Sequence, residues 1–155
     1  HRLIRRQRQM CIRDSAKVFY NLLEQVSGQN LQVDGTYPVE LFPDILDHLR
    51  SAQHNEYQEW DHDYAGFSRT AQEEGFPEIA HIFSMIAGIE KTHGDRFGKF
   101  AELLEQDKLF VSDVQVKWMC LNCGQIIDAT MAPAVCPVCK HPQGYFIRWE
   151  MAPFE

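Results

Sequence analysis

The 155-residue chain has no unbroken apolar run approaching the ~18–20 residues of a membrane-spanning helix, which excludes a helical span and predicts a soluble protein. Its opening stretch, HRLIRRQRQMCIRDS, lacks the apolar core and small-residue cleavage site of a secretory signal, so export is not indicated. Basic residues are scarce: 15 Lys and Arg stand against 22 Asp and Glu, a formal net charge of −7. Setting residues 1–15 aside removes five Arg and one Asp and leaves 10 basic against 21 acidic residues, a net of −11. A body that acidic repels phosphate backbones, and nucleic acid is excluded as a partner. Cysteine is also sparse outside one pattern. Of the five, four form two Cys-x-x-Cys pairs, too tight for a disulfide framework and suited to a metal held by thiolates in a reducing compartment. The cytoplasm is therefore the expected location.

Helical periodicity fills the first two thirds of the chain. AKVFYNLLEQVSG places Val18, Leu22 and Val26 beside Phe19 and Leu23 and stops at Gly28, as the last turns of a helix would. Residues 28–43, mixing Gly, Pro, Asn and Asp, predict a long crossover. A helix is expected from Asp44 to Glu74, closed by Gly75, and a second from Pro77 to Gln106, the two forming an antiparallel hairpin. At 100° per residue, Trp60, Tyr64, Phe67 and Ala71 share one side of the first, with Glu56 inside that stripe and Glu59 on its edge. On the second, Ile79, Phe83, Ile86, Phe97, Phe100 and Leu104 form the stripe, and Glu90 and His93 fall within it. Residues 108–116 are expected to be an extended linker. Beyond it the composition shifts to Cys, Pro and Gly, marking a separate unit over 117–155 that is too small to bury an adequate core without a staple.

The staple is the cysteine set. Cys120 and Cys123 precede Cys136 and Cys139 by a twelve-residue gap, and each pair can turn two thiolates onto one ion in a tetrahedral site. Sulfur geometry alone accepts either zinc or iron. The stretches WMCLNCG, AP and CPVC, with Trp118, Tyr145, Phe146 and Trp149 available to pack around them, resemble a rubredoxin, and that resemblance implies a single iron exchanging one electron.

Taken singly, Glu56 and Glu59 are ordinary solvated helix carboxylates and His93 an ordinary core histidine. Four such groups on the inward stripes of adjacent helices carry a different cost, because an unpaired buried carboxylate is destabilising by several kcal/mol and a cluster needs cations. Oxygen-rich ligation with an imidazole on bundle helices suits iron or manganese in a ferritin-like di-metal centre.

The run EYQEWDHDYAGFSRTAQEEGFPEIAHIFSMIAGIEKTHGDRF, followed by the four-cysteine unit, is similar to the second half of a rubrerythrin, without a gap from Ala16 to Trp149. The resemblance implies a mainly α chain, a partial ferritin-like four-helix bundle over 16–107 followed by a small rubredoxin-like β domain. It places Glu56 and Glu59 at the family's paired helix carboxylates, Glu90 at a bridging glutamate, His93 at a histidine ligand and Tyr64 at a tyrosine beside the irons. The family's first two helices have no counterpart, and Ser15 stands where a histidine ligand would be. RQRQMCIRDS resembles the translation of a sequencing adapter joined to a shortened reading frame, so residues 1–15 are expected to be an artefactual or disordered tail.

What the resemblance implies about activity is a non-haem di-iron peroxidase that reduces hydrogen peroxide to water, with Glu59 as a mobile ligand. The irons are re-reduced through the iron of Cys120, Cys123, Cys136 and Cys139. The implied partners are hydrogen peroxide, an electron donor such as a rubredoxin or an NAD(P)H-linked reductase, and a second copy in a homodimer. The competing expectation is an electron carrier, or a zinc-stapled binding module, attached to an incomplete and non-catalytic helical half.

Overall fold

The computed structural model describes residues 13–37 and 39–152, and it divides into two compact units, Ser15–Glu105 and Gln106–Glu155. In the first, residues 13–22 are helical (α1) and lead through a short 3-10 turn, Glu24–Val26, into the crossover. Residues 13–15, expected to belong to the tail, continue the helical register of the residues after them; residues 1–12 of that tail lie outside the described residues. Asp44 caps the next helix, α2 (Ile45–Gln58), its side chain accepting from the Leu46 backbone N–H at 2.9 Å.

The single helix expected over 44–74 is interrupted. Glu59–Asp63 form a π turn, closed by the Tyr64 N–H on the Glu59 carbonyl, before α3 (Tyr64–Glu73) resumes. Each i→i+5 bond fits an extra residue into the turn, so the side chains beyond Glu59 rotate away from a 100° projection. Ala71 is buried, Trp60 and Tyr64 are half-buried, and Phe67 is left 52% exposed. Gly75, at φ 87°, then ends α3 in a Schellman arrangement: the Phe76 N–H reaches the Ala71 carbonyl at 2.8 Å and the Gly75 N–H reaches that of Gln72 at 3.3 Å. Pro77 opens α4 (Pro77–Glu105), where its lack of an N–H sacrifices no intrahelical bond.

The face that α4 buries is not the one its large side chains mark. Ala80, Ala87, Gly94 and Ala101, spaced by sevens, are buried together with Ile86, Glu90, Gly98 and Leu103, whereas Ile79, Phe83, Phe97, Phe100 and Leu104 are half-buried. Small residues let the preceding helices come close. The Tyr57 ring lies against Gly94, where an added Cβ would sit 2.5 Å from it, and the Gln53 amide lies against Gly98. At the far end of the hairpin the Ser68 hydroxyl donates to the Ala80 carbonyl at 2.8 Å.

In the second unit β1 (Val111–Cys120) is flanked by β2 (Ile126–Met131) and β3 (Phe146–Arg148), both antiparallel to it. The expected linker 108–116 is thus corrected in its later part: from Val111 it is strand, paired Val111 with Met131 and Val116 with Ala129 around an irregularity in register. The alternation V-S-D-V-Q-V-K-W explains this, since it carries β-branched residues at every second or third position with polar ones between. The core is Trp118, Cys120, Ala132, Cys136 and Phe146, with the Trp118 indole N–H donating to the Ala129 carbonyl at 3.0 Å. Among the described residues no helix is long and apolar enough to cross a membrane.

Candidate metal centres

The two Cys-x-x-Cys segments fold as near copies of one turn. After each, the N–H four residues beyond the first cysteine bonds back to its carbonyl: Gly124 to Cys120 at 2.8 Å and Lys140 to Cys136 at 3.0 Å. The first cysteine's own N–H reaches one residue further, Cys120 to the Gln125 carbonyl and Cys136 to that of His141, both at 2.8 Å. The pivot residues Gly124 and Lys140 both have positive φ, 78° and 62°. Glycine adopts this freely; lysine does so at a cost.

These turns bring the four sulfurs within 4.8 Å of one another, with Cys120 Sγ 3.6 Å from Cys139 Sγ and Cys123 Sγ 3.7 Å from Cys136 Sγ. A tetrahedron with metal–sulfur bonds of about 2.3 Å has sulfurs about 3.8 Å apart, whereas a disulfide needs about 2.05 Å. The spacing is that of a four-thiolate ion site and not of two bridges. The His141 backbone N–H holds the Cys139 thiol down to about 5, while burial raises that of Cys120. Four thiolates this close repel one another, and a cation at their centre removes the conflict.

In the helical unit, Glu56 from α2 and Glu90 and His93 from α4 offer ligand atoms within 4.8 Å of one another. His93 Nδ1 is 2.7 Å from Glu90 Oε2 and 3.4 Å from Glu56 Oε2. Hydrogen bonds to Glu56 and Glu90 raise the His93 pKa to about 10, and their attraction outweighs burial. Glu90 is 7% exposed, so its charge depends on that imidazolium or on a metal in its place. Two carboxylates and an imidazole nitrogen converging from two helices suit a hard-to-borderline ion such as iron or manganese.

Glu59 and Tyr64 were expected in the same cluster. Glu59 opens the π turn and is not among the three converging residues, yet its charge acts on Tyr64. Tyr64 is raised to about 12 by burial first, then by Glu59, Glu90, Glu56 and Asp63. Its ring packs with Phe19 of α1 and Phe83 of α4, centroids 6.0 and 6.1 Å away, so an aromatic wall stands beside the carboxylates.

Sequence reasoning overlooked a polar set on the flank of this site. The Tyr57 hydroxyl donates to Asp95 Oδ1 at 2.7 Å, Lys91 Nζ donates to Asp95 Oδ2 at 2.8 Å, and Lys91 also lies over the Trp60 ring at 5.3 Å. The four-residue step from Lys91 to Asp95 was a legible signal; the cross-helix contact of Tyr57 was not.

Against known proteins, the family model "Rubrerythrin" matches residues 13–101, and the model "Rubrerythrin, rubredoxin-like domain" matches 118–147. A rubrerythrin of Clostridium perfringens (strain 13 / Type A) is 43% identical over 135 residues, covering 86% of this chain and 69% of the relative. One from Porphyromonas gingivalis is 37% identical over 134 residues, covering 86% and 66%. The chain thus spans about two thirds of the length of these relatives. A solved structure of nigerythrin in a mixed-valence state superposes with a TM-score of 0.49 at 23% identity, over 87% of this chain and 62% of that one. The helical unit is ferritin-like and the four-cysteine unit rubredoxin-like. The chain belongs to the rubrerythrin family, whose cofactors are a non-haem di-iron centre and a rubredoxin-type iron.

Proposed function

We propose that the chain is a peroxidase of the di-iron type, reducing hydrogen peroxide to water at the Glu56, Glu90 and His93 site with electrons relayed through the iron of Cys120, Cys123, Cys136 and Cys139. The family implies an oxidoreductase. The observation that carries the finer reading is the coexistence, in one chain, of an oxygen-rich ligand cluster and a closed four-sulfur cluster. Conversion of the peroxide to two waters takes two electrons and two protons. When bound, an iron pair supplies the two electrons together, and a four-thiolate iron, with no open position for peroxide, returns them one at a time.

The chain's own residues set the conditions for this. Glu56, Glu90 and His93 would hold the metal, with Glu59, at the start of the π turn, as the further and mobile carboxylate that the family resemblance implies. His93 would give up its ring proton to a metal held there. Tyr64 keeps its phenolic proton at any physiological pH and can donate it to a neighbouring carboxylate. The partners that complete the reading are hydrogen peroxide, a rubredoxin or NAD(P)H-linked reductase as donor, and a second copy of the chain; the reducing cytoplasm is the fitting compartment.

The test is separability. In iron-loaded protein, Glu90→Ala is expected to abolish peroxide consumption while the thiolate-to-iron colour persists. Cys139→Ala is expected to abolish that colour and the re-reduction while a single oxidation by peroxide survives. Stoichiometric zinc in the four-cysteine site after growth in ample iron, with no peroxide consumption, would favour the metal-stapled binding module instead.

A further inference from the structure

The outer side of α4 carries a second pattern, distinct from the seam of small residues that it buries. Glu78, Ile82, Met85, Ile89, Thr92 and Arg96 follow one another at steps of four, three, four, three and four, the heptad spacing of a coiled-coil face about 27 Å long. Ile82 is half-buried, but Met85 is 55% and Ile89 46% exposed, and a Cβ added at Gly88 between them would meet nothing. The Thr92 hydroxyl donates to the Ile89 carbonyl at 2.7 Å, which satisfies it within its own helix and leaves its methyl group for packing. Single exposed apolar residues are ordinary, whereas a run of them in this register forms a face that another helix can fill.

We propose that this stripe is the docking surface for a second copy of the chain, the two α4 helices lying antiparallel about a two-fold axis level with residue 87. In that register the stripe complements itself. Met85 meets the partner's Ile89, Ile82 meets the partner's Thr92, and Glu78 meets the partner's Arg96, each contact occurring twice by symmetry. The inference gives a surface to the second copy named in the reading above; it rests on that part of the reading alone and needs neither peroxide nor turnover.

Charge selects both the partner and the direction. The chain as a whole has a net charge of −7 and repels its copy, but the stripe holds one acid and one base and is neutral. Antiparallel pairing sets the Glu78 carboxylate against a guanidinium at each end of the seam. Parallel pairing would set Glu78 against Glu78 and Arg96 against Arg96, and like charges so placed oppose association. Between the charged ends the layers are Ile, Met and the Thr methyl group, which supply the apolar burial that holds such a seam.

The test is sedimentation velocity of the full, metal-loaded chain over a wide range of concentration, with circular dichroism to show that each variant keeps its helices. A reversible dimer is expected. Ile89→Glu, which brings an unpaired carboxylate into the seam from each copy, is expected to weaken it at least about tenfold. Glu78→Arg and Arg96→Glu are each expected to weaken it, and the double variant, with the two charges exchanged, to restore it. A monomer at every concentration, whether the stripe is then bare or covered by another part of the chain, overturns the seam. A dimer indifferent to Ile89→Glu, held by a different surface, overturns it as well. Peroxide consumption measured on the same samples decides the peroxidase reading separately.

Discussion

At the residue scale, His93 and Lys140 each carry a measurable consequence. His93 has its pKa raised from 6.5 to about 10 in the metal-free protein, by Glu56 and Glu90. Because the folded value is the higher one, the imidazolium stabilises the metal-free fold in full below pH 6.5 and loses that contribution as pH rises towards 10. Metal binding at Nδ1 must displace the same proton. Loading iron or manganese at pH 8 is therefore expected to release a proton that His93→Gln does not release, and metal affinity should rise by about tenfold per pH unit up to the His93 pKa. Proton release measured in weakly buffered solution checks this. Lys140 holds a left-handed backbone at φ 62°, where its counterpart Gly124 carries no side chain to strain. Lys140→Gly is expected to stabilise the four-cysteine unit by about 0.5–1 kcal/mol, despite loss of the Lys140 bond to the Pro137 carbonyl. A thermal melt of the metal-loaded protein resolves the shift.

At the scale of elements, the hairpin depends on the close approach of α2 to α4. Gly94→Ala places a methyl group into the Tyr57 ring, and moving that ring breaks its bond to Asp95. The expected cost is about 2 kcal/mol or more, read as a lower denaturation midpoint, with Gly88→Ala as a control that meets open space. The two long helices, the stop at Gly75 and the start at Pro77 were all legible in the sequence, because periodicity and end signals are local. The seam Ala80, Ala87, Gly94 and Ala101 was not, since a search for large apolar side chains passes over the residues that permit close contact. Nor was the π turn: EWDHD contains nothing that distinguishes i→i+5 bonding from i→i+4, and the choice is made by what the helix packs against. That one insertion also explains why Phe67, beyond it, is exposed although its period put it in the inward stripe.

At the scale of the whole chain, the two units rest on different kinds of cohesion. Ser15–Glu105 is held by helix packing and an aromatic cluster, whereas the central cluster of the second unit is Trp118, Cys120, Ala132, Cys136 and Phe146, two of them cysteines. Without a metal to hold them, two of the four neighbouring thiols lie in that core and are left without their counter-charge. A strong chelator is thus expected to unfold the second unit while the helical circular dichroism of the first persists; cooperative loss of both signals would mean that the units are not independent. The ligands of the four-cysteine site were fully legible because both halves are contiguous motifs. Those of the helical site were legible as residue types and faces, but their convergence depended on helix rotation, and the Tyr57–Asp95 pair required knowledge of which residues face each other across the hairpin.

The two cysteine turns also differ from front to back. Cys120 and Cys136, the first of each pair, are buried, whereas Cys123 is exposed and Cys139 half-buried. An ion held there has a protein side and a solvent side, and any competitor must arrive from the latter. Exchange is then a sequential process: the outer thiolates are surrendered first, one at a time, while the inner pair keeps the ion in place, and the residence time of the metal is set by how often Cys123 and Cys139 let go together.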